Sequence, residues 1–435
     1  MECVRMKIKD FAKTGSGATP KSSVRDFYEG GSIPWINSGE LNSPYIYKAQ
    51  NFITELGYNN SSTKMYPPNT VLVAMYGATA GKASVLEIEA CTNQAICAIL
   101  PDENLVDPYF LKYKLDTLYE YLVGISTGSA RDNLSQVGIA NLELDIPPLS
   151  VQKNIVSVLN TLDRKISLNR SINAELERMA KEIYDYWFVQ FEFPRSVSGE
   201  SGLPELSRTD DGNGQSHFPD ANGRPYKSSG GAMVYNPVLK REVPEGWEVK
   251  DLSKICKTKL GGTPDTSREE FWNGEFQWLN SGEVAKFPIV ESEKSITQEG
   301  IDGSATSFLK AGSITLSITR HLRPSILAID ACINQSVVGI EENDIFKKSF
   351  IYPYLSREIP RLMTLRVGAQ QPHINKETID VSSIVIPPNE ILKKYYETVD
   401  DIYEAIINNA LQNKKLTSLR DELLPLLMTG QVKIK

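Results

Sequence analysis

The sequence predicts an α+β protein with a pseudo-two-fold internal repeat: two mixed α/β domains separated by two long helices that form an antiparallel coiled coil. Three observations predict it. The chain repeats itself in order: Trp35-Ile36-Asn37-Ser38-Gly39-Glu40 returns as Trp278-Leu279-Asn280-Ser281-Gly282-Glu283, Ala90-Cys91-Thr92-Asn93-Gln94 as Ala331-Cys332-Ile333-Asn334-Gln335, and Ile146-Pro147-Pro148 as Ile386-Pro387-Pro388. The offset drifts only from 243 to 241 to 240, a register that chance similarity does not keep. Short β-rich runs such as Thr70–Tyr76 are broken by Gly, Asn, Ser and Pro, which reads as short strands and many loops. Two stretches carry apolar residues in a 4-3 alternation, the seam of a coiled coil.

The elements follow in chain order. Residues 1–149 form the first mixed domain. Pro147-Pro148 stops it, and Ser150 is a plausible N-cap for the first long helix, residues 150–190. Its seam is Ile155, Leu162, Asn169, Leu176 and Ile183, interleaved with Leu159, Ile166, Asn173, Ala180 and Trp187. Residues 191–245, rich in Gly, Ser, Asp, Asn and Pro, read as linker or exposed segment. Residues 246–388 form the second mixed domain, 389–428 the second long helix, and 429–435 a tail. The second seam runs Leu392, Val399, Ile406, Asn413, Arg420 and Leu427, with Tyr395, Ile402, Asn409, Leu416 and Leu423 between; Pro425 is placed to end or kink it. Asn169 and Asn173 return as Asn409 and Asn413 at an offset of 240. A buried Asn costs stability but fixes register; the alternative is exposed polar residues on imperfect helices. Two-fold symmetry predicts antiparallel helices with these asparagines meeting near the middle. Aromatic residues at one end of the first helix (Tyr184, Tyr186, Trp187, Phe188, Phe191) and near the start of the second (Tyr395, Tyr396, Tyr403) suit either an internal core or a docking surface.

Composition bounds the function. A hydrophobic content of 41% and a charged content of 23% fit a globular chain in water. No apolar run approaches the roughly 20 residues that span a bilayer, and the first residues carry no apolar signal segment. The five cysteines (Cys3, Cys91, Cys97, Cys256, Cys332) make no CxxC pair, which suggests reduced thiols in a cytoplasm. The net charge of −7 gives no global sign of nucleic-acid binding. Residues 1–150 carry 12 basic against 16 acidic side chains, and 246–388 carry 16 against 18. Basic groups that meet DNA must therefore be clustered, or a partner must neutralise much of the phosphate.

The candidate binding residues sit on loops. Gly77-Ala78-Thr79-Ala80-Gly81-Lys82-Ala83 fails the phosphate-loop spacing, since Tyr76 and Ala83 stand where Gly and Ser or Thr are needed. A glycine-lined loop that approaches a ligand fits better, with Thr79 and Lys82 here and Arg320 and Arg323 in the matching Ser317–Arg323 stretch, which has no glycine. Such basic residues suit phosphate contact or guanine readout; a solvated loop is the alternative. Each copy opens with a Gly-Thr-Pro-like turn that offers Thr19, Lys21 and Ser22, then Thr263 and Thr266. Each has a polar loop before its last strand, with Ser129, Arg131 and Asn133 in one and Gln370, Gln371 and His373 in the other. Arg, Asn and Gln read base edges in a major groove, although ordinary turns would use some of the same residues. One frame with different contents is what two related readers of two short sequences would show. Catalytic chemistry is thin. The only histidines are His217, His321 and His373, so the first copy has none and no repeated His-based acid–base or metal site exists. Asp145-Ile146-Pro147-Pro148 breaks the amino-methyltransferase pattern at Ile146, and Asp163-Arg164-Lys165 lies on the heptad helix.

At this point the chain resembles a known family over essentially its whole length. Two variable mixed domains alternating with two related long helices is the plan of the DNA-specificity subunit of type I restriction–modification systems. Ile33-Pro34-Trp35-Ile36, Met75–Lys82, Cys91-Thr92-Asn93-Gln94-Ala95 and Val243-Pro244-Glu245-Gly246-Trp247-Glu248-Val249 look like that family's text. The resemblance implies that each mixed domain is a target-recognition domain reading one half of a bipartite, asymmetric double-stranded DNA target. It implies that the helices space the halves and dock two methyltransferase subunits, which a restriction (translocase) subunit can join. Adenine methylation with S-adenosylmethionine would be carried by the partners, so this chain itself needs no cofactor. The Ser317–Arg323 stretch departs from the family's glycine-rich loop, so contacts do not transfer there from the first copy. A helix of about 38 residues extends about 57 Å at ~1.5 Å per residue, against ~34–36 Å per turn of DNA. The pair is thus long enough to hold two readers about one turn apart. The competing readings are a single-chain DNA-modifying enzyme (methyltransferase or nuclease), which needs a cofactor or metal motif, and a coiled-coil scaffold, which binds no DNA. An adaptor does not bind S-adenosylmethionine tightly on its own. Isothermal titration of the isolated chain is expected to show no such binding, and a tight complex would favour the single-chain enzyme.

Overall fold

A computed structural model describes residues 3–127, 134–194, 224–319, 321–368, 372–432 and 434. The chain divides into two compact units, residues 1–167 with 415–435, and residues 168–414. Each unit holds one mixed region and a portion of both long helices.

In the first unit, the apolar run forms a fully buried strand, Val71–Ala74. It lies inside a five-stranded sheet in the order Ala12–Ser16, Ile96–Pro101, Val71–Ala74, Ala83–Leu86, Tyr45–Ile46. A second sheet orders Asn51–Ile53, Ile33–Ile36, Ala90–Thr92 and Met65–Tyr66. A third pairs Val4–Lys7 with Glu143–Ile146, so the opening strand is tied to the last strand before Pro147. The second unit repeats the scheme. Lys257–Leu260, Val337–Glu341, Ile314–Ser317 and Pro324–Ile326 form one sheet, and Lys294–Ile296, Trp272–Leu279, Ala331–Ile333 and Ser307–Leu309 another. Glu248–Asp251 pairs with Ser383–Ile386.

The repeated motifs are strand neighbours. Trp35 and Ile36 pair in parallel with Cys91 and Thr92, and Trp278 and Leu279 pair in parallel with Cys332 and Ile333. The drift in offset also has a location. The loop between Val71–Ala74 and Ala83–Leu86 has eight residues, whereas the loop between Ile314–Ser317 and Pro324–Ile326 has six. The second copy is shorter by two residues there, which shifts the offset from 243 to 241. The sequence match that set Ser317 against Gly77 is therefore corrected. Met75 and Ile318 each open their loop, and Lys82 and Arg323 each close it.

The long helices span Leu149–Tyr184 and Asn389–Met428. Both begin directly after the Pro-Pro pair. Pro148 accepts from Gln152 N (3.1 Å) and Pro388 from Leu392 N (3.2 Å). Ser150 therefore lies inside the first turn and is not the cap. Pro425 does not end the second helix, which continues to Met428. The seam is real: Ile155, Leu159 and Ile166 are buried in the first unit, and Ala180, Ile183, Leu392, Val399 and Ile406 in the second. Asn169 Nδ2 donates to Asn413 Oδ1 (2.9 Å) and Gln412 Oε1 (2.7 Å), while Asn409 Nδ2 donates to Asn173 Oδ1 (2.9 Å) and Asn173 Nδ2 to the Ile406 carbonyl (2.9 Å). The antiparallel sense follows, because partners descend from 413 to 406 as the first helix ascends from 169 to 173. The seam asparagines are thus hydrogen-bonded in pairs, and Asn169 is fully buried.

In the first unit the seam carries a charge. Asp163, with its side chain 1% exposed, accepts from Arg420 NH1 at 2.8 Å and from Tyr113 OH at 2.7 Å. Lys112 lies 2.9 Å from Asp116 and 3.7 Å from Asp163. Burial alone would lower the Arg420 guanidinium pKa, but the hydrogen bond and charge of Asp163 outweigh it and hold it above the usual range. Burial pushes the Tyr113 hydroxyl up, as do the neighbouring Tyr45 and Asp163, so it stays a proton donor.

The aromatic residues near the helix ends are core. Phe188 meets Tyr395 edge-on at 4.7 Å and Phe350 at 5.0 Å, and Tyr184, Trp187, Phe191, Tyr395 and Tyr403 are buried with them. The stretch expected as linker is only partly so. Phe193 stacks on Trp247 at 4.9 Å, and a hairpin pairs Met233–Asn236 with Arg241–Pro244, while 195–223 lie outside the described residues. Four of the five cysteines are buried, which pushes the Cys91 and Cys332 thiols up to about 11 and Cys97 and Cys256 to about 12.

Two outcomes are expected. Replacing Asn169 and Asn413 together by Leu removes a buried amide oxygen with no protein partner among the described residues, a penalty of about 1–3 kcal/mol. The melting temperature should rise while the helices lose a unique register, as read by disulfide cross-linking across the pair. A lower melting temperature with one register kept would refute the role. Iodoacetamide at pH 8 should alkylate only exposed Cys3 in the native chain, checked by peptide mass spectrometry, because buried thiols with raised pKa values hold almost no thiolate.

Candidate nucleic-acid interface

Two turns in each copy emerge from the parallel strand pair, and the candidate loops lie against them. Beyond Ile36, Asn37 turns the chain. Its Oδ1 accepts from Gly39 N (2.9 Å), and the buried Glu40 carboxylate accepts from Asn37 N (3.1 Å) and Gln50 N (2.8 Å). The second copy repeats this, with Asn280 Oδ1 accepting from Gly282 N (2.8 Å) and Glu283 from Asn280 N (2.9 Å) and Glu293 N (2.7 Å). The Asn-Ser-Gly-Glu motif is therefore a brace that satisfies backbone donors.

Beyond Thr92, Asn93 N donates to the Ile36 carbonyl (2.9 Å), and Asn93 Oδ1 accepts from Ala95 N (3.1 Å). Asn334 repeats both bonds with Leu279 (3.0 Å) and Ser336 (3.0 Å). This turn lifts Gln94 and Gln335 into solvent. The Gly-Thr-Pro turns are laid against the same spot. Ala18 N donates to the Thr92 carbonyl and Gly262 N to that of Ile333, each at 3.0 Å, and Trp35 and Trp278 donate their indole N–H to the Ala18 and Gly262 carbonyls at 3.1 and 3.2 Å. A Cβ on Gly17 would stand 1.8 Å from the Thr92 oxygen, and one on Gly261 would stand 2.1 Å from the Ile333 oxygen. Glycine is required there by contact.

Thr19 Oγ1 donates to Gln94 Oε1 at 2.6 Å, and Thr263 donates to Gln335 in the same way. The two threonines were expected from sequence as binding residues. The glutamines were not, although they ended the most regular repeat in the chain. Lys21 and Ser22 are exposed beyond Thr19, as is Thr266 beyond Thr263. Where the first copy has Lys21, the second has Asp265. The Ser267 hydroxyl and backbone hydrogen bonds hold the Asp265 carboxyl below the usual range, so it stays ionised.

The glycine loop begins beside this cluster, with Met75 N donating to the Ala95 carbonyl at 2.8 Å. Gly77 and Gly81 take φ of +91° and +82°. Thr79 is buried and its hydroxyl donates to the Ser38 carbonyl at 2.7 Å, so its side chain braces the loop. Lys82 is half-buried, with Nζ 2.5 Å from Asn42 Oδ1. In the second copy Ile318 N donates to the Ser336 carbonyl at 3.0 Å, and Arg323 is exposed. His373 exchanges two backbone bonds with Val367, each 2.9 Å, and bridges to Thr319. Ser129, Arg131, Asn133, Arg320, Gln370 and Gln371 lie outside the described residues. Among the described residues no group of three or more His, Cys, Asp or Glu could hold a metal. None of their helices is long and apolar enough to cross a membrane.

The sequence pattern of the type I restriction modification DNA specificity domain matches residues 2–178 and again 244–418, most of the chain. The chain belongs to that family. It is 27% identical to the type I restriction enzyme MjaIX specificity subunit of Methanocaldococcus jannaschii, over 99% of this chain and 93% of the relative. It is 26% identical to the HindI specificity subunit of Haemophilus influenzae, over 77% of this chain and 79% of the relative. The crystal structure of the type I restriction–modification S subunit from M. genitalium shares the fold at 15% identity with a TM-score of 0.56, over 98% of this chain and 96% of that one. As a member of the specificity family the chain is a non-catalytic DNA-recognition component. In this specificity protein the family match falls once on each copy, each time covering a mixed region and most of the helix after it.

The loop frame predicts a ranking of glycine substitutions. Gly77→Ala adds a Cβ with nothing within 4 Å, so it costs only the left-handed strain, about 1–2 kcal/mol. Gly17→Ala drives a Cβ into the Thr92 backbone and should lower the melting temperature distinctly more. Equal melting temperatures for the two variants would contradict the frame.

Proposed function

We propose that each mixed domain reads one half of a bipartite, asymmetric DNA target, and that the helix pair sets the spacing and docks two methyltransferase subunits. A restriction (translocase) subunit can join this assembly. The observation that carries the reading is the repeated loop frame with unlike contents. The same hydrogen bonds hold the turn, the tip and the brace in both copies, while Lys21 is exchanged for Asp265 and an eight-residue loop for a six-residue one. A lysine suits guanine or phosphate, and an aspartate suits a cytosine amino group, so the two copies favour different bases. Lys82, Arg323, Lys21, Ser22, Thr266 and His373 are the described contact candidates, and Ser129, Arg131, Asn133, Arg320, Gln370 and Gln371 are the further candidates from sequence. The excess of acidic side chains in both mixed regions supports dependence on partners for phosphate neutralisation.

Mapping adenine methylation by single-molecule sequencing, in cells that carry this chain with its methyltransferase partner, tests the reading. The expected result is one motif of two short specified halves around an unspecified spacer. Removing one heptad from both helices shortens each by about 10 Å, so the spacer should shrink by about three base pairs at ~3.4 Å each. An unchanged spacer would remove the ruler. A continuous motif would remove the bipartite reading.

A further inference from the structure

We propose that Gln94 and Gln335 are a matched pair of sequence-independent anchors, each donating its amide N–H to the sugar–phosphate backbone at the equivalent point of each half-site. The inference rests on the reading that both mixed domains face DNA, and it names what holds them to the duplex apart from base recognition.

Four observations carry it. Both glutamines are exposed at the tip of a turn whose backbone is fixed by the preceding asparagine and by the neighbouring strand. In both, the amide oxygen accepts from a threonine hydroxyl of the Gly-Thr-Pro turn, Thr19 at 2.6 Å in the first copy and Thr263 in the second. With the oxygen occupied, the amide presents its N–H donors outward, and no other described residue takes them. A phosphate oxygen only accepts, so it complements this end of the side chain. Finally, the pair is constant where its surroundings vary. The residue two beyond the threonine changes from Lys21 to Asp265 and the adjacent loop loses two residues, yet the Thr–Gln bond is kept. Two different half-sites share no base sequence, and they do share a backbone. A constant donor therefore fits the constant part of the ligand. Neutral donors also suit mixed regions in which acids outnumber bases, since they grip phosphate without a lysine. Thr19 and Thr263 are positioning residues in this arrangement: each hydroxyl orients an amide and makes no contact of its own.

The test uses the full chain assembled with its methyltransferase partner and two fluorescein-labelled duplexes, one with the mapped target and one of unrelated sequence. Gln94→Glu with Gln335→Glu keeps an acceptor for each threonine but turns a carboxylate oxygen toward the phosphate. Binding to both duplexes should weaken about ten-fold or more, with the methylated motif and the melting temperature unchanged. Gln→Ala at either site should weaken both duplexes about three- to ten-fold. Thr19→Val should weaken binding and Thr19→Ser restore it. Wild-type affinity in the double Glu variant would show that the pair only ties two loops together and would overturn the proposal. So would a changed motif, which would make the glutamines base readers. If the unsubstituted complex bound neither duplex, the DNA reading itself would fall, and the anchors with it.

Discussion

One parallel strand pair organises each candidate reading surface. Trp35–Ile36 runs beside Cys91–Thr92, and Trp278–Leu279 beside Cys332–Ile333. Parallel neighbours leave the sheet at the same end. Two segments more than fifty residues apart in sequence therefore release their loops side by side, and a third loop is hydrogen-bonded onto the same carbonyls. Antiparallel pairing would have sent the Asn-Ser-Gly-Glu turn and the Asn-Gln tip to opposite edges. The tryptophans hold the arrangement from below. Each is buried, and each donates its one N–H to the turn above it.

This division explains what the sequence could and could not reveal. The fold class was legible because both of its periods were long and regular: the heptad seam over the helices, and the repeat at an offset near 240. The pairing of the seam asparagines followed from symmetry alone. Loop details were less legible, because a backbone carbonyl leaves no mark in the sequence. Thr79 looks the same in text whether its hydroxyl faces DNA or the Ser38 carbonyl. Ser150 looks like a cap, yet Pro148 already supplies the first carbonyl. The glutamines were printed twice in the clearest repeat, but repetition alone cannot separate a brace such as Glu40 from an exposed tip such as Gln94. Burial separates them, and burial comes from tertiary packing.

The aromatic ends of the helices show the same limit. Tyr184, Trp187, Phe188 and Tyr395 suited a surface or a core equally well by pattern. They are core because the chain after the helix turns back. Phe191 takes a positive φ of 62°, and Phe193 then lies on Trp247. The second mixed region thereby begins as part of the cluster that ends the first helix.

Asp163 and Arg420 break the symmetry that the asparagines keep. Under the repeat, Asp163 corresponds to Tyr403 and Arg420 to Ala180. The asparagine contacts would survive if the first helix lay against the first helix of another molecule, since Asn169 would then face Asn173. The carboxylate would keep Tyr113 and lose Arg420. It would lie against Ala180, buried without its guanidinium, at a cost of several kcal/mol, and two second helices together would set Arg420 against Tyr403. A duplicated protein carries a standing risk of oligomerising through its own repeats. Here a single unrepeated ion pair, Asp163 with Arg420, favours the partner helix of the same chain over a second copy of either repeat.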